Sequence, residues 1–123
     1  MRLREVAEVT QAEVLTGREL LEREVDKGCG ADLLSDVLSV VEENFLLVTG
    51  MVTLQAVRVA EVMNAAAVLI VRGKRPQEPV IAYAEEAGIS LLATQKGMFE
   101  TCGLLYSRGL RPAKFRRVSE YAG

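Results

Sequence analysis

Three short apolar runs constrain this chain most: Phe45 to Thr49 (FLLVT), Ala67 to Val71 (AVLIV) and Ser90 to Thr94 (SLLAT). Their starts lie 22 and 23 residues apart, and a stretch with helical patterning follows each one. A continuous apolar run of strand length, rich in β-branched residues, suits a strand covered on both faces, the setting of a parallel sheet. The expected fold class is α/β: a single-domain sandwich with a mostly parallel sheet flanked by helices, its post-strand loops open to a ligand. The pattern specifies a fold and arranges no catalytic constellation.

The rest of the chain falls into place around those runs. Leu3, Val6, Ala7 and Thr10 have helical spacing, and Ala12 to Thr16 reads as a strand closed by Gly17. Arg18 to Arg23 is a surface connection or helical turn. Val25 to Ala31 is a second extended segment that two glycines weaken. Asp32 is placed to cap a helix whose stripe is Leu34, Val37, Leu38 and Val41. Helices are further expected over Thr53 to Met63, over Gln77 to Ala87 with Pro79 in its first turn and Gly88 as its stop, and over Gly97 to Ser107. The order is α-β-β-α-β-α-β-α-β-α. Residues 1–110 are expected to form the domain, and 111–123 a basic C-terminal tail, either mobile or docked.

Composition excludes several functions. The 15 basic and 17 acidic residues give a net charge of −2, which offers no global attraction for nucleic acid or an anionic membrane. Without Trp and with only three Tyr and three Phe, a base-stacking platform is not expected. No apolar run approaches the roughly 20 residues of a membrane helix. Cys29 and Cys102 stand in unrelated contexts without metal-ligand spacing. With no signal-peptide pattern, they are expected as reduced thiols in a cytoplasmic protein. No cofactor and no metal are expected.

From Asp32 to Arg108 the chain resembles the DRTGG domain family and, more distantly, the N-terminal domain of HPr kinase/phosphorylase. The residues that carry the likeness are DLLSDVL, AVLIVRGKRP and above all VIAYAEEAGISLLATQKGMFET. The resemblance implies a small α/β sandwich, often dimeric, acting as a regulatory or interaction module. Such domains occur beside cystathionine-β-synthase-type (CBS) domains in regulated pyrophosphatases, beside phosphotransacetylase domains, and as free-standing proteins. It brings no catalytic residues. In place of the family's Asp-Arg-Thr the chain has Met51-Val52-Thr53, and the glycine pair is reduced to Gly73 followed by Lys74. No GxxxxGK[ST] loop is present, which excludes P-loop kinase chemistry.

In an open parallel sheet the ligand crevice lies beyond the carboxyl ends of the strands. Three loops meet there, contributing Thr49, Gly50 and Thr53; Arg72, Gly73 and Lys74; and Thr94 and Lys96. Each precedes a helix whose free N–H groups favour an anion, so a phosphate, nucleotide or carboxylate suits the set. The competing reading is that these residues make turns and caps while the cations are solvated. Asp32 and Asp36, four apart, form a weak Mg²⁺ pair, and capping accounts for Asp32 without a metal. Cys29 sits between Gly28 and Gly30 in a chain without His, so close packing is its leading reading, with a low-pKa thiol at a helix start as the alternative. Cys102, near Phe99 and Leu105, reads as core.

The helix from Thr53 is apolar around much of its circumference, and Leu54, Val57 and Val62 are the candidate homodimer face, the alternative being a helix wedged between the sheet and the N-terminal helices. Arg108, Arg111, Lys114, Arg116 and Arg117 form a basic run with no acid until Glu120, read as solvated or docked rather than as a nucleic-acid arm. The function expected is a non-catalytic regulatory module that binds a small anionic metabolite or nucleotide at the strand C-terminal edge and signals through a dimer or a partner enzyme. The alternative is a protein–protein interaction subunit with no small-molecule ligand.

Overall fold

The three apolar runs form the centre of a six-stranded sheet in the computed structural model, which describes residues 1–117. They become β3 (Leu46–Thr49), β4 (Ala67–Ile70) and β5 (Ser90–Ala93), parallel and adjacent, with Leu46 level with Ala67 and Ala67 level with Ser90. Around them lie α1 (Leu3–Thr10), β1 (Glu13–Thr16), a 3₁₀ turn at Arg18–Leu20, β2 (Lys27–Gly30), α2 (Leu34–Val37), α3 (Leu54–Val62), α4 (Glu78–Ala87), α5 (Met98–Ser107) and β6 (Arg111–Pro112). The strand order is β1-β5-β4-β3-β2-β6, and only β1 runs antiparallel to its neighbour.

This order follows from chain economy and handedness. From β2 to β5 each crossover moves one strand in the same direction, so right-handed connections place α2, α3 and α4 on one face. The other face is covered by α1 and by α5, which carries the chain across to β6 at the far edge. Alternation along each strand then supplies two cores. Leu47, Val68, Ile70 and Leu91 pack with Phe45, Val37, Val57 and Ala84 on the first face. Leu46, Val48, Leu69 and Leu92 pack with Leu3, Val6, Leu105 and Leu110 on the second. With both faces covered, the buried strands read as unbroken apolar runs.

One expectation is corrected here. The helix expected to run from Asp32 through Val41 is the single turn α2, and its N-cap is Leu33 rather than Asp32. Leu38 and Val41 are exposed, while Val40 turns inward and bridges to Phe115. The basic segment docks as far as it is described. β6 pairs with β2, Ala113 is buried, the Arg116 amide donates to the Ser39 carbonyl at 2.8 Å, and the Lys114 amide donates to Glu42 Oε1 at 2.6 Å. Glu120 lies outside the described residues.

Candidate functional site

The strand order brings the ends of β2, β3, β4 and β5 to one edge, and β1, being antiparallel, starts there. The loops do not share one crevice; they frame two hollows with Lys74 in the wall of both. The larger, about 590 Å³, lies at the N-terminus of α3 and is lined by Asp32, Leu33, Leu34, Gly50, Met51, Val52, Thr53, Gln55 and Lys74. The smaller, about 210 Å³, lies where β1 meets β5, between Gln11, Glu13, Gly73, Arg75, Thr94 and Gln95.

In the larger hollow the polar groups converge on Gly50. Its N–H donates to Asp32 Oδ1 at 2.7 Å, the Thr49 hydroxyl donates to the same oxygen at 3.2 Å, and Lys74 Nζ donates to the Gly50 carbonyl at 3.0 Å. Thr49 also accepts from the Met51 amide at 3.0 Å, which fixes the turn leading into α3. Thr53 is the α3 N-cap, its hydroxyl accepting from the Ala56 amide at 3.2 Å. The Leu54 and Gln55 amides in the first turn have no acceptor within the helix. Leu33, Leu34, Met51 and Val52 add apolar surface to the same lining. The hollow therefore combines a lysine, a helix N-terminus and a carboxylate with an apolar surface.

The second group of expected residues is engaged within the protein. The Thr94 hydroxyl is buried, donating to the Thr10 carbonyl at 2.6 Å and accepting from the Lys96 amide at 3.2 Å. The Arg72 amide donates to the Lys96 carbonyl and the Gly73 amide to the Thr94 carbonyl, at 2.7 and 2.9 Å. Arg72 and Gly73 both have positive φ, 66° and 70°. The φ of Gly73 is one that side-chain-bearing residues adopt only with strain, so glycine suits this tight turn. Lys96 Nζ sits 3.7 Å from Glu100 and lines neither hollow.

The structure thus brings Thr49, Gly50, Thr53 and Lys74 together, places Gly73 and Thr94 in the smaller hollow, and leaves Arg72 and Lys96 outside both. Asp32, Leu33, Leu34, Met51, Val52 and Gln55 were not among the expected contacts. The available signal was Asp32 itself, two residues past the end of a strand, where a strand-end position outweighs a capping one. Asp36 lies on α2, and among the described residues no group of three or more His, Cys, Asp or Glu is arranged to hold a metal ion.

Of the candidate dimer residues, Val57 is buried in the core and Leu54 packs against it, because α3 turns this side to the sheet. Val62 alone is exposed, at 73%, beside a polar outer face where Tyr83 donates to Glu61 at 2.6 Å and Arg58 stacks 5.4 Å from the Tyr83 ring. Cys29 is buried, and desolvation, reinforced by Asp36 and Cys102, pushes its thiol up to about 11. Burial raises the Cys102 thiol as well. Neither thiol has the lowered pKa of a nucleophile.

The DRTGG domain model matches residues 5–107. A crystal structure of the CBS and DRTGG domains of the regulatory region of Clostridium perfringens pyrophosphatase, complexed with the activator diadenosine tetraphosphate, is similar over 90% of this chain with a TM-score of 0.71 and 16% identity. This chain spans 47% of that one, about half its length, and at this identity the likeness carries the fold alone. No curated protein matches the sequence.

Proposed function

The chain belongs to the DRTGG domain family, and from that premise we propose that it is a non-catalytic regulatory module that binds a small anionic nucleotide or related metabolite at the strand C-terminal edge. The observation that carries this reading is the pairing, in the hollow of about 590 Å³, of Lys74 and the α3 N-terminus with the apolar wall of Leu33, Leu34, Met51 and Val52. Inorganic phosphate would use only the first half of that surface. A nucleotide uses both, its phosphate meeting the Lys74 ammonium and the Leu54 and Gln55 amides while its base covers the wall. Asp32, one oxygen held by Gly50 and Thr49, offers the other to a ribose hydroxyl. The similar pyrophosphatase region, complexed with a dinucleotide activator, supports the class of ligand.

Occupancy is passed to a partner enzyme or across a homodimer through the β2–α2 and β3–α3 loops, both of which line the hollow. The test is a thermal-shift series with adenine mono- and dinucleotides, sugar phosphates and inorganic phosphate, on wild type and Lys74→Ala. A ligand that binds only the native state raises the melting temperature by mass action. The expected result is a saturable rise with a nucleotide, absent in Lys74→Ala. The same rise in that variant would place the ligand elsewhere, and no rise with any compound would leave the interaction-subunit reading in its place.

A further inference from the structure

The outward side of α5 carries a stripe that stands largely open among the described residues. Phe99, Gly103 and Tyr106 recur at i, i+4 and i+7, and Phe99 is 94% exposed. Gly103, between the two rings, is exposed, and a Cβ built on it would meet nothing within 4 Å. No contact among the described residues asks for glycine at this mid-helix position, where glycine disfavours the helix.

Beside the C-terminal half of the same helix opens an apolar cleft of about 170 Å³, walled by Gly28, Gly30, Cys102, Leu105 and Leu110, with Tyr106 and Arg111 at its rim. The two glycines of β2 let α5 and Leu110 lie close to the sheet. A Cβ on Gly28 would come within 2.8 Å of Leu110 Cδ2, and one on Gly30 within 3.1 Å of Cys102 Sγ. An apolar cavity of about 150 Å³ holds benzene, so the cleft is sized for one aromatic ring.

We infer that this chain forms a homodimer in which antiparallel α5 helices cross at Gly103 and Phe99 of each copy fills the cleft beside Tyr106 of the other. Phe99 and Tyr106 are seven residues apart, about 10 Å along the axis, and their midpoint falls next to Gly103. A twofold axis there sets both rings opposite both clefts at once, the self-complementarity that an isologous interface requires. Charge agrees with the pairing. Glu100, 60% exposed and adjacent to Phe99, comes to the rim that carries Arg111, whose guanidinium stacks 4.5 Å over the Tyr106 ring. The inserted ring gives that cation a second aromatic neighbour. The surface differs from the strand-end hollow, so the pairing stands whether or not that hollow takes a nucleotide, and it moves the dimer face from α3 to α5.

Sedimentation equilibrium of the full chain tests this with Phe99→Glu, Gly103→Leu and Val62→Glu beside wild type. Phe99 and the space over Gly103 are open in the protomer, so the first two variants keep the native far-UV circular dichroism. Wild type and Val62→Glu should sediment at twice the chain mass, and Phe99→Glu and Gly103→Leu at the chain mass. A wild type monomeric at every concentration reached would overturn the inference. So would a dimer that survives either α5 substitution, or one that Val62→Glu alone dissolves.

Discussion

Thr94 and Lys74 stand at neighbouring strand ends and have opposite roles. The Thr94 hydroxyl makes two hydrogen bonds inside the protein, so Thr94→Val strands the Thr10 carbonyl and the Lys96 amide. Leaving buried polar groups unpaired costs about 1–3 kcal/mol, and urea unfolding of Thr94→Val should show a loss of that order with ligand affinity kept. Lys74→Ala loses a single part-buried hydrogen bond, to the Gly50 carbonyl, so its stability should fall less than that of Thr94→Val while binding is lost. Cys29 is a third kind of residue, conspicuous in sequence and inert in the fold. With its thiol pushed up to about 11, iodoacetamide at neutral pH should leave Cys29 unmodified in the native protein and react with it after denaturation. Rapid native-state labelling at Cys29 would contradict that assignment.

At the scale of elements, what the sequence shows depends on whether an element's reason is local. β3, β4 and β5 were legible because burial on both faces writes an unbroken apolar run into the strand itself. α4 was legible through Pro79 in its first turn and Gly88 at its end, and α3 through an apolar pattern that starts at its own N-cap, Thr53. α2 and β6 were not. The stripe Leu34, Val37, Leu38 and Val41 has helical spacing, yet Val40 is drawn inward by a bridge to Phe115, far along the chain. β6 is an Arg-Pro pair with no pattern of its own, held by β2 and by Glu42.

That docking has a pH signature. The Lys114 amide, and then Lys27, hold the Glu42 carboxyl below its ordinary value. The stabilisation is therefore fully present above the unfolded-state pKa and is lost as pH falls through the lower folded-state value. Lys27 is shifted the other way, chiefly by Glu42, so its share is present below its unfolded-state pKa and fades as pH rises through the folded one. Glu42→Gln should speed hydrogen exchange at the Lys114 amide at neutral pH and flatten the acid limb of stability, whereas unchanged exchange would mean that β6 is held by β2 alone.

For the molecule as a whole, one sheet separates its tasks. The strand ends carry the polar convergence at Gly50, the faces carry two apolar cores, and α5 presents its outer stripe away from both. That one edge of the sheet gathers the loops after β3, β4 and β5 was legible, because a parallel sheet directs its loops there. Its division into two hollows was not, since that depends on hydrogen bonds between the β4 and β5 loops that no spacing records. The cores set the stability on which any site rests. Phe45 is fully buried, and Phe45→Ala should cost about 3–5 kcal/mol in urea unfolding, a loss that would lower binding only by unfolding the domain.

The most direct test of the account is a ¹⁵N-resolved NMR titration of the wild-type chain with the nucleotide that gives the largest thermal shift. The account predicts saturable amide shifts confined to Asp32 to Leu34, Gly50 to Gln55 and Lys74, with Thr94 and Lys96 little moved and the pattern lost in Lys74→Ala. Shifts centred on the α5 cleft or on the smaller hollow, or a spectrum unchanged at saturating nucleotide, would contradict the claim that the larger strand-end hollow is the regulatory site.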